Sequence, residues 1–335
     1  MPANPLATLP LGPIARAAFA VAALGLAVAA PGVRAADFPP KKTISIVVGF
    51  VAGGAADTSA RLVAAKLSEN LGASVVVENK PGAGGNIAHK LVADSPADGS
   101  VLLLGSIGPL TIAPHLMKLP YDPFKDLAPV SGGVYFPSIL VVNKGAGIQN
   151  LAQFVAAARA KPGEISYAST GPGSASHLTG ELFAQRAGAE MTHVPYKGGA
   201  QIMVDLIGER ITGYFAAPPT ALPQIQAGKI VPLATTGLTR PDYLRDLPTV
   251  AEGGMPGFEA LNWYGFVAPA ATPADLLDRW NAEIVKVLRD PGVVKTLAEH
   301  GVTPQPTTRP EFAAFMKKEY EQWGTLVRER GLGPK

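Results

Sequence analysis

The chain has 335 residues, with 29 Lys and Arg against 26 Asp and Glu, and no cysteine. Without cysteine there is no disulfide and no thiolate metal site. Near-balanced charge with no Lys/Arg-rich run gives no basic face for nucleic acid or a membrane surface. The five histidines, at 89, 115, 177, 193 and 300, show no metal-ligand spacing.

Residues 1–16 hold no acid and one charged side chain, Arg16, and the run from Ala17 to Ala30 is almost wholly apolar. That run is shorter than the roughly 20 residues that span a bilayer. It fits the apolar region of a secretory signal. Pro31 and Gly32 break it, and Val33-Arg34-Ala35 suits cleavage after Ala35. An uncleaved membrane anchor is the alternative that the length disfavours. A lipid anchor would need a cysteine at the cleavage site. Loss of residues 1–35 removes Arg16 and Arg34, lowers the net charge from +3 to +1 and leaves 300 residues. That length suits two domains.

Beyond the signal, short apolar runs alternate with amphipathic stretches. Thr43–Phe50 reads as a buried strand, followed by a helix whose apolar positions are Ala60, Val63, Ala64, Leu67 and Leu71, ended by Gly72. Strands are expected at Ser74–Glu78, Val101–Leu104 and Ile139–Asn143, and a helix at Leu151–Ala160. Ile165–Ala168 is a short strand, and Ser176–Ala187 a helix closed by Gly188. Met191–Val194, Ile211–Ala216 and Val231–Thr235 read as strands, with helices near 199–208 and 219–227 and a stop at Gly228. Two long helices, near 273–290 and 310–329, each open at a proline. The alternation implies α/β layers with largely parallel sheets.

Four Gly-rich turns carry the candidate chemistry. The first, Phe50-Val51-Ala52-Gly53-Gly54-Ala55-Ala56-Asp57, joins the first strand to the first helix. N–H groups at a helix start carry about half a positive charge and attract an anion. Asp57 is placed to cap that helix. The turn lacks the GxGxxG spacing and a Walker lysine, and a purely connecting turn is the alternative. The second, Ser169-Thr170-Gly171-Pro172-Gly173-Ser174-Ala175-Ser176-His177, also leads from a strand into a helix. Two such helix starts in separate αβ units suggest a pincer around a carboxylate. A catalytic Ser174 with His177 lacks both the GxSxG frame and an orienting acid. The third turn, Asn79–Asn86, reads better as structural than as a phosphate cradle. In the fourth, His193–Gly199, Lys197 either reaches a ligand acid or stays in solvent, and Tyr196 is a candidate cleft wall.

Taken together, AGGAAD at 52–57, VVVENKPGAGG at 75–85, LPYDPFKDLAPV at 119–130, YASTGPGSASH at 167–177, HVPYKGGA at 193–200, LPTVAEGG at 247–254 and WYGFVAPAATP at 263–273 closely resemble the Bug-type extracytoplasmic solute receptors. These are the substrate-binding components of tripartite tricarboxylate transporters. The resemblance runs from about Phe38 to the C-terminal helix. It implies a type II periplasmic-binding-protein fold, with two α/β lobes, a hinge and a central ligand cleft. The crossings fall near 136–139 and 261–265, giving lobe one as 36–137 plus 264–335 and lobe two as 138–263.

The resemblance also implies that a ligand carboxylate lies between the loops at 50–57 and 170–177, held by main-chain N–H groups and water. Phe50, Val51, Gly53, Gly54, Asp57, Thr170, Gly171, Gly173, Ser174, His177, Lys197 and Ala216 are the resulting ligand-site candidates. Many relatives have Val-Pro before the first loop's Phe, where this chain has Val48-Gly49. Relatives often carry an acid where Ala216-Ala217 stand, so an acid ligand with an apolar body is expected here rather than an amino acid. The implied protein is a periplasmic monomer that is not an enzyme and uses no cofactor or metal. It passes a small organic acid to a two-component integral membrane permease. The competing readings are a ligand-dependent sensor and, more remotely, a serine hydrolase built on Ser174.

Overall fold

The computed structural model describes residues 38–329, 331 and 333. The predicted signal peptide lies outside them. From Phe38 on, the chain forms one compact unit built on two sheets.

The first lobe opens with β1 (Ile44–Val48), α1 (Ala55–Leu71), β2 (Val75–Asn79), α2 (Asn86–Ala93) and β3 (Val101–Ser106). The short α3 (Ala113–Leu116) and the long β4 (Leu127–Pro137) follow. The chain then passes straight into the second lobe: β5 (Ile139–Val142), α4 (Leu151–Ala160), β6 (Ser166–Ser169), α5 (Ala175–Ala187), β7 (Thr192–Pro195), α6 (Gly199–Ile207), β8 (Gly213–Ala216), α7 (Pro218–Gln226) and β9 (Val231–Thr235). It returns through β10 (Leu261–Pro269), and the first lobe ends with α8 (Ala274–Arg289), α9 (Pro291–Glu299), β11 (Thr303–Pro304) and α10 (Arg309–Glu329).

The first sheet has the order β11-β4-β10-β3-β1-β2, and the second β7-β6-β8-β5-β9. β1 pairs in parallel with β2 and β3, and β6 with β7 and β8. The sheets are more mixed than the sequence implied. β10 runs antiparallel to β3 and β4, and β5 antiparallel to β8 and β9. The cause is the connection. A strand reached through a crossover helix lies parallel to its predecessor, whereas β5 and β10 enter their sheets directly from the other lobe.

Residues of β1 are buried on both faces. Ile44, Ile46 and Val48 join a core with α1, α8 and α9, while Val47 joins the core under α2 and α10. Such burial on both sides explains why Ile46, Val47 and Val48 are apolar in succession. The second lobe likewise has a core on each face of its sheet. Glycines in left-handed conformation end α1 at Gly72, α5 at Gly188 and α7 just before Gly228, with φ near 60° at each.

Ser138 alone separates β4 from β5, and Ala260 immediately precedes β10. Thr236 joins the two crossings. Its Oγ1 accepts from the Ser138 N–H at 2.8 Å and donates to the Ala260 carbonyl at 2.6 Å. Its own backbone bonds Ser138 and Ala260 at 2.9 Å each. The sheets therefore exchange strands at residues 138 and 260. Asn262 and Trp263, read from sequence as lobe two, pair with β4 in the first sheet.

Candidate functional site

A cavity lies between the lobes, at the C-terminal ends of the parallel strands. Phe50, Gly54, Ala55, Ala56, Ser106, Ile107, Asn262 and Tyr264 line it from lobe one. Thr170, Ala175, Ser176, Gly199, Tyr214, Phe215, Ala217 and Thr220 line it from lobe two. None of these residues carries a charge.

On the lobe-one side, α1 starts at Ala55 behind Gly54, which has no capping side chain. Asp57 sits in the first turn, and its Oδ2 reaches back to accept from the Gly53 N–H at 2.9 Å. Arg61 Nε and Asn79 Nδ2 also donate to this carboxylate, each at 2.9 Å. Burial raises the Asp57 pKa, but the bonds from Arg61, Gly53 and Asn79 outweigh it and hold the group ionised below the usual carboxylate range. Both Asp57 and the Gly53 N–H are thus spent inside the loop. Among the described residues the N–H groups of Gly54, Ala55 and Ala56 find no acceptor, and all three residues line the cavity. These are the orphan donors that every helix start leaves.

The lobe-two loop follows the same logic. The Thr170 N–H donates to Ser176 Oγ at 3.0 Å, Gly171 N–H to Ser169 Oγ at 3.1 Å, and Ser174 N–H to the Gly171 carbonyl at 3.1 Å. Gly173 N–H is directed at His177 Nδ1, 3.3 Å away. Ser174 is buried and caps α5, its Oγ accepting from the His177 N–H. What remains for a ligand are the N–H groups of Ala175 and Ser176 at the start of α5, with the Thr170 side chain beside them. His177 and His193 lie under this loop with ring centres 4.2 Å apart. His193 Nε2 is 2.5 Å from Ser169 Oγ. Burial lowers the pKa of both rings, that of His193 to about 4, so both are neutral at pH 7. His177 Nδ1 faces Gly173 rather than Ser174, so Ser174 and His177 do not form a nucleophile–base pair.

The other sequence candidates take varied positions. Val51 packs on Gly198 at the lobe boundary, where a Cβ on Gly198 would lie 2.5 Å from Val51 Cγ2. Lys197 is exposed and lines a groove on the rim, with Gly84 and Pro172. Ala216 is fully buried in the core of lobe two, between the cavity residues Phe215 and Ala217. The lobes are closed on each other. Ala217 joins the core of lobe one, as Leu178 of α5 does on the opposite face of its sheet.

Sequence reasoning missed Ser106, Tyr214, Asn262 and Tyr264. They sit on strands, outside the four glycine-rich turns: the first sheet brings Ser106, Asn262 and Tyr264 together, with Tyr264 the cross-strand partner of Ser106, and Tyr214 comes from the second sheet. Ser106 Oγ and Asn262 Oδ1 are buried with no hydrogen-bond partner among the described residues. Burial pushes the phenols of Tyr214 and Tyr264 far up, so both stay protonated and can donate.

The model of the tripartite tricarboxylate transporter family receptor matches residues 59–332. Protein BugT of Bordetella pertussis is 36% identical over 316 residues, covering 93% of this chain and 97% of the relative. Among solved structures, Rpa4515 of R. palustris with adipate superposes with a TM-score of 0.86 at 34% identity, covering 89% of this chain and all of that one. MatC from Rhodopseudomonas palustris with bound malate has a TM-score of 0.82 at 29% identity, covering 86% and 99%. The two-lobed α/β architecture is that of periplasmic solute-binding proteins, and family members are receptors rather than enzymes. This chain belongs to the tripartite tricarboxylate transporter receptor family.

Proposed function

We propose that this chain is an extracytoplasmic receptor that captures a small organic acid and delivers it to a two-component membrane permease. The observation that carries the reading is the approach of two helix N-termini, α1 and α5, to one uncharged cavity from opposite lobes. Their free N–H groups suit one carboxylate oxygen pair. The ligand enters the open form, bridges both lobes and shifts the population toward closure. The permease then reads the closed surface. Export follows from the N-terminal segment, and the receptor works as a monomer in the periplasm. Among the described residues no helix is long and apolar enough to cross a membrane. The structures with adipate and with malate support a carboxylate as cargo.

A thermal-shift screen of the refolded chain against organic acids tests this. Refolding strips any copurified ligand. A ligand at about 100 times its dissociation constant adds about 2.7 kcal/mol of stability. A shift with one class of carboxylate supports the reading, and no shift with any acid contradicts it.

A further inference from the structure

The cavity lining divides into two chemistries. The first is the pair of helix starts, Gly54–Ala56 and Ala175–Ser176. Each carries about half a positive charge, so together they offset one carboxylate and not two. The second is a neutral polar cluster of Ser106, Asn262 and Tyr264 on adjacent strands of lobe one, with Tyr214 from lobe two. Asn262 precedes Tyr264 by two residues on β10, so their side chains share a face.

Two atoms of that cluster are incomplete. Ser106 is 4% exposed, and among the described residues its Oγ has no partner, nor has Asn262 Oδ1. Buried polar atoms are nearly always hydrogen-bonded, and both residues line the cavity. An amide oxygen only accepts, and an ionised carboxylate has no proton to give it. A second carboxylate would also be buried with no cation among the lining residues, which costs far more than burying a hydrogen-bonded neutral group. A hydroxyl meets both needs, donating to Asn262 Oδ1 and accepting from Ser106 Oγ.

We infer that the ligand is a monocarboxylate whose second polar group is neutral and carries a proton, a hydroxyl or an amide, and that Ser106 and Asn262 receive it. The inference rests on the carboxylate-receptor reading above. It makes this pair specificity-determining, while the helix starts hold the acid.

Calorimetric titration of the refolded chain with matched probes tests it: 4-hydroxybutanoate against butanedioate, 6-hydroxyhexanoate against hexanedioate, and hexanoate alone. The hydroxy acid of at least one pair binds ten-fold or more tighter than its diacid. In the double variant Ser106→Ala, Asn262→Leu that preference disappears while hexanoate still binds. Diacids that bind as tightly as the hydroxy acids at both lengths overturn the inference. So does a preference that survives the double variant. If no acid of any kind binds to chain with a native circular-dichroism spectrum, the carboxylate reading itself fails and this inference falls with it.

Discussion

Gly108 of lobe one stands against Gly173 of lobe two so closely that a Cβ on Gly108 would lie 2.7 Å from the Gly173 carbonyl oxygen and 3.0 Å from Ser174 Cα. The same relationship recurs at Gly84, where a Cβ would lie 2.4 Å from the Pro172 carbonyl oxygen. The closed form therefore brings backbone against backbone at the loop 170–177, with no side chain between.

Gly108 is the cleaner probe of closure, because its φ is not positive and alanine there brings no backbone strain of its own. Overpacking of this kind costs about 1–3 kcal/mol, and here the cost falls on the closed form. Gly108→Ala is expected to weaken ligand binding by roughly 5- to 150-fold, with little change in the unfolding of the ligand-free chain. Calorimetry and small-angle scattering with saturating ligand check it. An unchanged affinity and an unchanged ligand-induced compaction contradict it.

Thr236 is fully buried and bridges the two interlobe crossings through one hydroxyl. Valine keeps its shape but leaves the Ser138 N–H and the Ala260 carbonyl without that partner. A buried group left unsatisfied costs about 1–3 kcal/mol. Thr236→Val should lower the urea-unfolding free energy by about 2–4 kcal/mol, read as a fall in midpoint. A loss within error would show that the hydroxyl does not tie the crossings.

Acid should destabilise the protein before its carboxylates titrate. His89 is 1% exposed, and its Nδ1–H donates to the Gly85 carbonyl at 2.9 Å, while Nε2 has no partner among the described residues. Burial lowers its pKa to about 4, with the Gly85 bond opposing. The unfolded chain protonates nearer 6.5, so it takes up the proton first as pH falls. The stability from neutral His89 is complete above about 6.5 and is lost between there and about 4, at up to about 1.4 kcal/mol per pH unit. His193, also lowered to about 4, acts in the same sense. Urea melts from pH 7 to 4.5 should show this slope, and His89→Gln should reduce it by about one proton. An equal slope in the variant would remove His89 from the account.

Ser174 is expected to behave as a cap. Ser174→Ala removes the acceptor for the His177 N–H at the start of α5. A lost N-cap costs about 1 kcal/mol, and ligand affinity should fall modestly because α5 presents the anion donors. Ester or amide turnover in the wild type that vanishes in this variant would revive the hydrolase alternative.

The sequence carried the βα turns well, since a glycine-rich link between a strand and a helix is local chemistry. Leu151–Ala160 and Val231–Thr235 fall where periodicity places them. β4 and β10 were hidden. β4 reads LAPVSGGVYFP, and its prolines and glycines resemble a loop until the antiparallel partner supplies the pairing. The loop candidates divided for a related reason. Bonds to Asp57, Ser169 and His177 turn the Gly53, Gly171 and Gly173 N–H groups inward, which no motif can express. Ser106 and Asn262 lie 156 positions apart in sequence and meet only through the sheet.

In the proposed receptor two helix starts hold one ionised carboxylate. Calorimetric titration of ligand-free chain with the tightest acid from the screen, alongside its primary amide of the same shape, reads that charge alone. The acid should bind, and the amide at least ten-fold more weakly. Equal affinity for both would contradict it.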